Sequence, residues 1–286
     1  MPQPWDGLPN GEGGGGTPGP QGSPGTPGAD GLNTDAWRVV GLVGINNTVT
    51  PNTQYDVSAD AVVLYNTSNG TVVVRTATGV ITNNILTAGP AANGRDQVGA
   101  FSASTWIHIY FIWNGTTLAT LSSAVAPPTG PTLPTGYTHW AYCGAVRYNA
   151  TPVLLPTRFS GCQANLDIVT GGESRVLSTG TATTMTAVSC AAYAPPNSRR
   201  VLLTVALAHN TVDGVRYALS IRPTGTSQAG QDVCTIVCFA ANVPVVTTWI
   251  VCPVNASQSF DYMTTPAGVL GAFIDVIGYL MPNGGE

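Results

Sequence analysis

The sequence predicts an all-β, homotrimeric protein: a short N-terminal collagen-like triple-helical stalk followed by two β-sandwich or jelly-roll-like domains. Three observations carry this expectation. A glycine occupies every third position from Gly13 to Gly31. Beyond that run helical periodicity is almost absent, and β-branched and aromatic runs alternate with Gly, Pro and Asn clusters at short intervals. Only 8% of the 286 residues are charged while 43% are hydrophobic. That balance argues against disorder and suits a body with much of its surface buried against other subunits.

Residues 1–12 hold Pro2, Pro4, Trp5, Leu8 and Pro9, an apolar set for which a stalk has no use. They are expected to form an anchor peptide, with Trp5 and Leu8 docking into a partner protein; a frayed chain end is the alternative. The stalk covers 13–31, with Gly13, Gly16, Gly19, Gly22, Gly25, Gly28 and Gly31 on its axis. Three polyproline-II chains can share one axis only if the innermost residue has no side chain, and proline presets φ for the strand. A flexible linker has similar composition. The strict period over six triplets, unbroken by any bulky apolar residue, favours the triple helix. Such a rod would be roughly 55 Å long, too short to hold three chains together alone. Trimerisation is therefore assigned to the domains that follow.

In the first domain, 32–169, strands are expected at 37–45, 54–65, 72–76, 106–113, 117–122 and 139–148. Asn69-Gly70 and Asn114-Gly115 mark tight hairpin turns, because both residues of each pair tolerate positive φ. Along 106–113 one face carries Trp106, His108, Tyr110 and Ile112, and the other Ile107, Ile109, Phe111 and Trp113. Neither face suits open water, so a subunit interface or a second sheet should cover each. The proline-dense segment 127–134 reads as an extended surface connection. The pattern resets around Thr170-Gly171-Gly172-Glu173, where the domain boundary is placed. The second domain, 170–286, has strands expected at 187–193, 201–209, 214–222, 233–240, 245–252 and 269–280, with Asp213-Gly214 as a further turn. The closing run reads as a strand in the middle of a sheet.

Several function classes lack their residues. A net charge of −4, with all ten basic residues arginine, offers no basic face for nucleic acid. No apolar run reaches the ~20 residues of a membrane span. The N-terminus has neither the charged start nor the apolar core of a signal peptide, so synthesis and retention in a cytoplasm are expected. No nucleophile elbow, phosphate loop, zincin helix or calcium loop occurs. No catalytic residue, metal or cofactor is therefore expected. Asp56 and Asp60, four apart, read as solvated edge carboxylates rather than a glycosidase pair, which needs about 5–9 Å separation in a cleft. His108, His139 and His209 read as packed or hydrogen-bonded side chains. The six cysteines form no CxxC pair. A hairpin turning about Val243 would set Cys234 opposite Cys252, at a spacing that allows a disulfide; buried free thiols are the alternative.

Several segments resemble a module of fibre-type structural proteins of tailed bacteriophages and prophages. They are Gly94-Arg95-Asp96-Gln97, residues 106–113, Asn114-Gly115-Thr116-Thr117-Leu118-Ala119-Thr120-Leu121-Ser122-Ser123, Pro127-Pro128-Thr129-Gly130-Pro131, and Leu133-Pro134-Thr135-Gly136-Tyr137-Thr138-His139-Trp140-Ala141-Tyr142. The resemblance covers roughly 32–160, and the order of anchor, collagen-like run and β-rich domains shares it. It implies a virion component, a tail, collar (whisker) or head fibre, made in the bacterial cytoplasm. Its partners would be neck, tail or capsid proteins, met through the N-terminus. It carries over no catalytic residues. The many Thr, Asn, Tyr and Trp side chains of the head could stack on and hydrogen-bond host surface glycans. Two other classes remain open. One is a collagen-like spore- or cell-surface protein with a trimeric jelly-roll head, in which the collagen run would be far longer. The other is a tail-spike-type polysaccharide-degrading enzyme, which would need a cleft with paired carboxylates.

Overall fold

Runs rich in Val, Ile and aromatic residues form strands because alternate side chains can enter a core while the backbone pairs sideways. The computed structural model describes residues 39–167, 173–208, 216–226, 232–238, 246–267 and 271–282. Among these there is no helix. The first six strands are β1 (Val39–Val40), β2 (Val43–Asn46), β3 (Gln54–Ser58), β4 (Ala61–Tyr65), β5 (Val72–Thr76) and β6 (Ile81–Asn84). Then come β7 (Gly94–Arg95), β8 (Thr105–Trp113), β9 (Leu118–Ser123), β10 (His139–Tyr148), β11 (Thr157–Ser160) and β12 (Gln163–Leu166). The remaining strands are β13 (Arg175–Gly180), β14 (Thr186–Ser189), β15 (Arg200–Ala208) and β16 (Tyr217–Pro223), followed by β17 (Cys234–Cys238), β18 (Val246–Pro253), β19 (Ser259–Thr265) and β20 (Gly271–Leu280).

These strands build three sheets. A seven-stranded sheet runs β1-β4-β10-β8-β9-β7, with β5 also on β4. A nine-stranded sheet runs β18-β15-β20-β12-β11-β2-β3-β6, with β13 also on β20. A four-stranded sheet runs β14-β19-β16-β17. The closing strand β20 lies inside its sheet, between β15 and β12. The hairpin β8–β9 turns at Asn114-Gly115, where Gly115 has φ 101° and the Asn114 carboxamide accepts from the Thr116 and Thr117 amides.

The nine-stranded sheet is shared. One part of its inner face, with Tyr55, Val57, Phe159 and Ala164, packs with Val62, Leu64, Ile107, Ile109 and Phe111 of the seven-stranded sheet. The other part, with Val201, Leu203, Val205, Leu207, Ile274 and Val276, packs with Leu219, Ile221, Ile236, Phe260 and Tyr262 of the four-stranded sheet. Each large side chain of this kind contributes about 1.5–3 kcal/mol on burial. Tyr279 of β20 joins the two regions: its hydroxyl donates to the Ala145 carbonyl, and its ring meets Trp106 edge-on at 5.6 Å.

Four expectations need correction. The boundary at 169/170 does not separate two cores, because β20 pairs with β12 and residues from both halves lie in one buried cluster. The runs 37–45 and 54–65 each break into two strands. Gly41 bends the first at φ 63°, where a Cβ would lie 2.0 Å from the Asp60 carboxylate. The second breaks at Ala59-Asp60, so β3 enters the nine-stranded sheet and β4 the seven-stranded one. Strand β8 needs no subunit interface, since its own chain covers the second face. There Tyr110, Ile112, Trp140 and Tyr142 lie beneath Leu133 and Tyr137. The segment 127–134 is therefore a cover as well as a surface connection, and Gly130 and Pro134 within it are buried. Finally, no hairpin joins β17 to β18: β17 pairs with β16 and β18 with β15, on opposite sheets.

Candidate functional site

Among the described residues, the outer face of the nine-stranded sheet carries exposed side chains in a regular array. Strand β18 alternates, sending Cys252 inward while Trp249 and Val251 point out, 77% and 49% exposed. Strand pairing sets Trp249 opposite Thr204 of β15, Thr204 opposite Asp275 of β20, and Asp275 opposite Arg175 of β13. These four residues make a row across four strands, about 15 Å long at the usual strand spacing. At one end the Arg175 guanidinium grips Asp275 with two hydrogen bonds, Nε to Oδ1 and Nη2 to Oδ2, both 3.0 Å. It also lies 5.1 Å from the ring centre of Phe273. Such a bidentate pair fixes its own geometry and cancels its own charge. Leu202, paired with Val251, and Phe273, paired with Ala206, add half-buried apolar surface beside the row.

Towards the opposite edge of the sheet lies a shallow depression lined by Val43, Ile45, Asp56, Val57, Ser58 and Val80. At about 130 Å³ it is smaller than the roughly 300 Å³ at which small-molecule sites begin. Asp56 is already engaged there, accepting from Thr82 Oγ1 at 2.6 Å and Asn47 Nδ2 at 2.9 Å. Asp60 is not its strand-mate, because β3 ends at Ser58. The two carboxylates therefore share no strand face.

The other residues singled out from sequence fall as follows. The stalk glycines Gly13, Gly16, Gly19, Gly22, Gly25, Gly28 and Gly31, and the docking residues Trp5 and Leu8, lie outside the described residues, as does His209. Cys234 and Cys252 are both free thiols, opposite Ile221 and Val201 respectively; of the two readings the sequence left open, this is the free-thiol one. Burial pushes the Cys190 and Cys252 thiols up to about 12, which keeps them protonated and unreactive near neutrality. His108 is buried against Tyr142, its Nδ1 3.2 Å from the tyrosine hydroxyl, and burial lowers its pKa to about 4. His139 lies between Thr71 Oγ1 at 3.0 Å and Thr138 Oγ1 at 2.9 Å. Among the described residues no three His, Cys, Asp or Glu side chains gather as a metal site.

The sequence predicts a strand at 245–252 without singling out Trp249. Ile250 and Cys252 on one face are as apolar as Trp249 and Val251 on the other, so alternation carried no sign of which pair faces out. Comparison with known proteins gives no matching family model and no matching curated protein.

Proposed function

We propose that this chain is a structural fibre protein of a phage virion: a homotrimer that docks on the particle by residues 1–12 and projects a β-rich head on a collagen-like stalk. The observation that carries the reading is the glycine at every third position from Gly13 to Gly31, a period that serves only three chains wound on one axis. The resemblance of roughly residues 32–160 to the phage fibre module supports it. So does the all-β body of packed sheets, which suits a sandwich-like head. On this reading the protein is not an enzyme, works without cofactor, and resides in the virion after synthesis in the bacterial cytoplasm. The head would present three copies of each weak contact to host surface glycans, gaining avidity through effective concentration.

The test is the mass and the location of the protein. Light scattering on purified full-length chain at micromolar concentration should return three times the 29.4 kDa chain mass. Gold-labelled antibody against the body should decorate projections on intact source particles. A monomer, or particles without label, would reject the reading. Hydrolysis of a host polysaccharide by the purified protein would replace it with the enzyme class.

A further inference from the structure

We infer that the outer face of the nine-stranded sheet around Trp249 is the surface through which the bodies of three copies pack, turned towards their common axis. The inference rests on the trimeric reading of the stalk and supplies the surface that reading leaves unnamed. Its occupant follows from the chain itself. The glycine run ends at Gly31 and the first strand starts at Val39. Seven intervening residues can reach at most about 25 Å, so three wound chains would tether their bodies near one another. The bodies therefore meet at high effective concentration, where even a modest patch associates.

Among the surfaces of the body, this face fits that meeting best. Strands β8 and β10 of the seven-stranded sheet are covered on both faces by the chain's own residues, as are the inner faces of the other two sheets; its strand β5 leaves Val72 and Val74 exposed, an aliphatic pair smaller than Trp249 and Val251. Isolated exposed side chains such as Val49, Leu86 and Val98 lie in turns and make no patch. Trp249 and Val251 instead stand two apart on one strand, with Leu202 and Phe273 alongside. Tryptophan is the residue type that most often anchors interfaces, and here it projects from a regular strand rather than a mobile tip. The only ionic groups of the row, Arg175 and Asp275, neutralise each other. Three identical faces can thus converge without like-charge repulsion, which a face with net charge would not allow.

The experiment compares full-length wild type with Trp249→Glu and with Val49→Glu, whose side chain is 84% exposed in a turn. Light scattering over a dilution series from micromolar to nanomolar reads dissociation, and circular dichroism checks the fold. The inference expects Trp249→Glu to dissociate at a protein concentration at least tenfold higher than wild type, with an unchanged β spectrum, while Val49→Glu follows wild type. Acrylamide quenching gives a second reading that does not depend on that variant. The fluorescence lost in Trp249→Phe should come from an indole several-fold less accessible than free tryptophan. A Trp249→Glu trimer with the wild-type dissociation profile, or a fully accessible Trp249 in the trimer, overturns this inference and leaves the trimeric stalk standing. The same holds if glycan binding falls while the trimer is unaffected, which would give Trp249 to a ligand. A wild-type monomer overturns both.

Discussion

His108 is 2% exposed and faces one titratable group, the Tyr142 hydroxyl, which burial keeps un-ionised and which also accepts from Asn197 Nδ2 at 3.0 Å. Burial disfavours the imidazolium, so the folded pKa is about 4 against 6.5 for the unfolded chain. Between those values the unfolded state binds a proton that the folded state refuses. Stability present above pH 6.5 is therefore lost as the pH falls towards 4, by on the order of 3 kcal/mol. Chemical denaturation at pH 7 and pH 4.5, at one protein concentration, should show that loss in wild type and a smaller one in His108→Gln. Phe159 is the second residue that decides stability. Its ring lies 5.0 Å from that of Tyr55 and presses on two glycines, so that a Cβ on Gly44 would come within 2.6 Å of it and one on Gly144 within 2.8 Å. Phe159→Ala should destabilise the body by about 3–5 kcal/mol in the same assay. Within Val43-Gly44-Ile45 and Cys143-Gly144-Ala145 nothing in the sequence marks these glycines as contacts, because the partner lies over a hundred residues away for Gly44 and on another sheet for Gly144.

Strands with strong local signals were legible as elements. The expected 139–148 and 72–76 match β10 and β5, the expected 106–113 differs from β8 by one residue at its start, and 117–122 differs from β9 by one residue at each end. In these segments β-branched and aromatic density coincides with a well-specified turn. Strands β11 (TRFS), β12 (QANL) and β19 (SFDYMTT) were passed over. They are short or polar, and pairing with strands far along the chain holds them in place; β12 depends on β20. For the same reason adjacency predicts a β17–β18 hairpin that the structure does not contain: it is a good guide to pairing only when a well-specified turn separates the runs, as Asn114-Gly115 does for β8 and β9. The proline-dense segment shows the opposite failure, since its composition identified a connection correctly and concealed its packing. Gly130 adopts φ 75°, and a Cβ there would lie 2.6 Å from the Trp140 ring. Gly130→Ala should combine backbone strain with that clash and cost about 1–3 kcal/mol. The expected signs are binding of a hydrophobic dye and faster acrylamide quenching as the cover lifts from Trp140, with the β spectrum retained.

At the scale of the molecule, one sheet serves both halves, which changes what can be cut. A fragment of residues 32–169 keeps β12 but loses β20 beside it, together with Tyr279 at Ala145 and Met281 against Gly144. That fragment should show no cooperative unfolding transition, whereas a domain complete in itself would melt sharply; calorimetry distinguishes them. Cooperative integrity of the body also bears on the stalk. If the body alone holds three chains together, the glycine period is needed for the rod and not for the trimer. An arginine on the crowded axis opens a triple helix locally, since only glycine fits there. Gly22→Arg should then remove the triple-helical circular dichroism signal and make residues 13–31 sensitive to proteases, while light scattering still reports three chains. Retained protease resistance would show that the run is not a triple helix. A monomeric Gly22→Arg protein would show that the stalk holds the trimer and the body only follows. Particles carrying the variant provide the functional readout: with a projecting rod, a softened stalk should reduce attachment of the particle to host cells without reducing the number of fibres per particle. Unchanged attachment would move the role of the protein from adhesion to assembly.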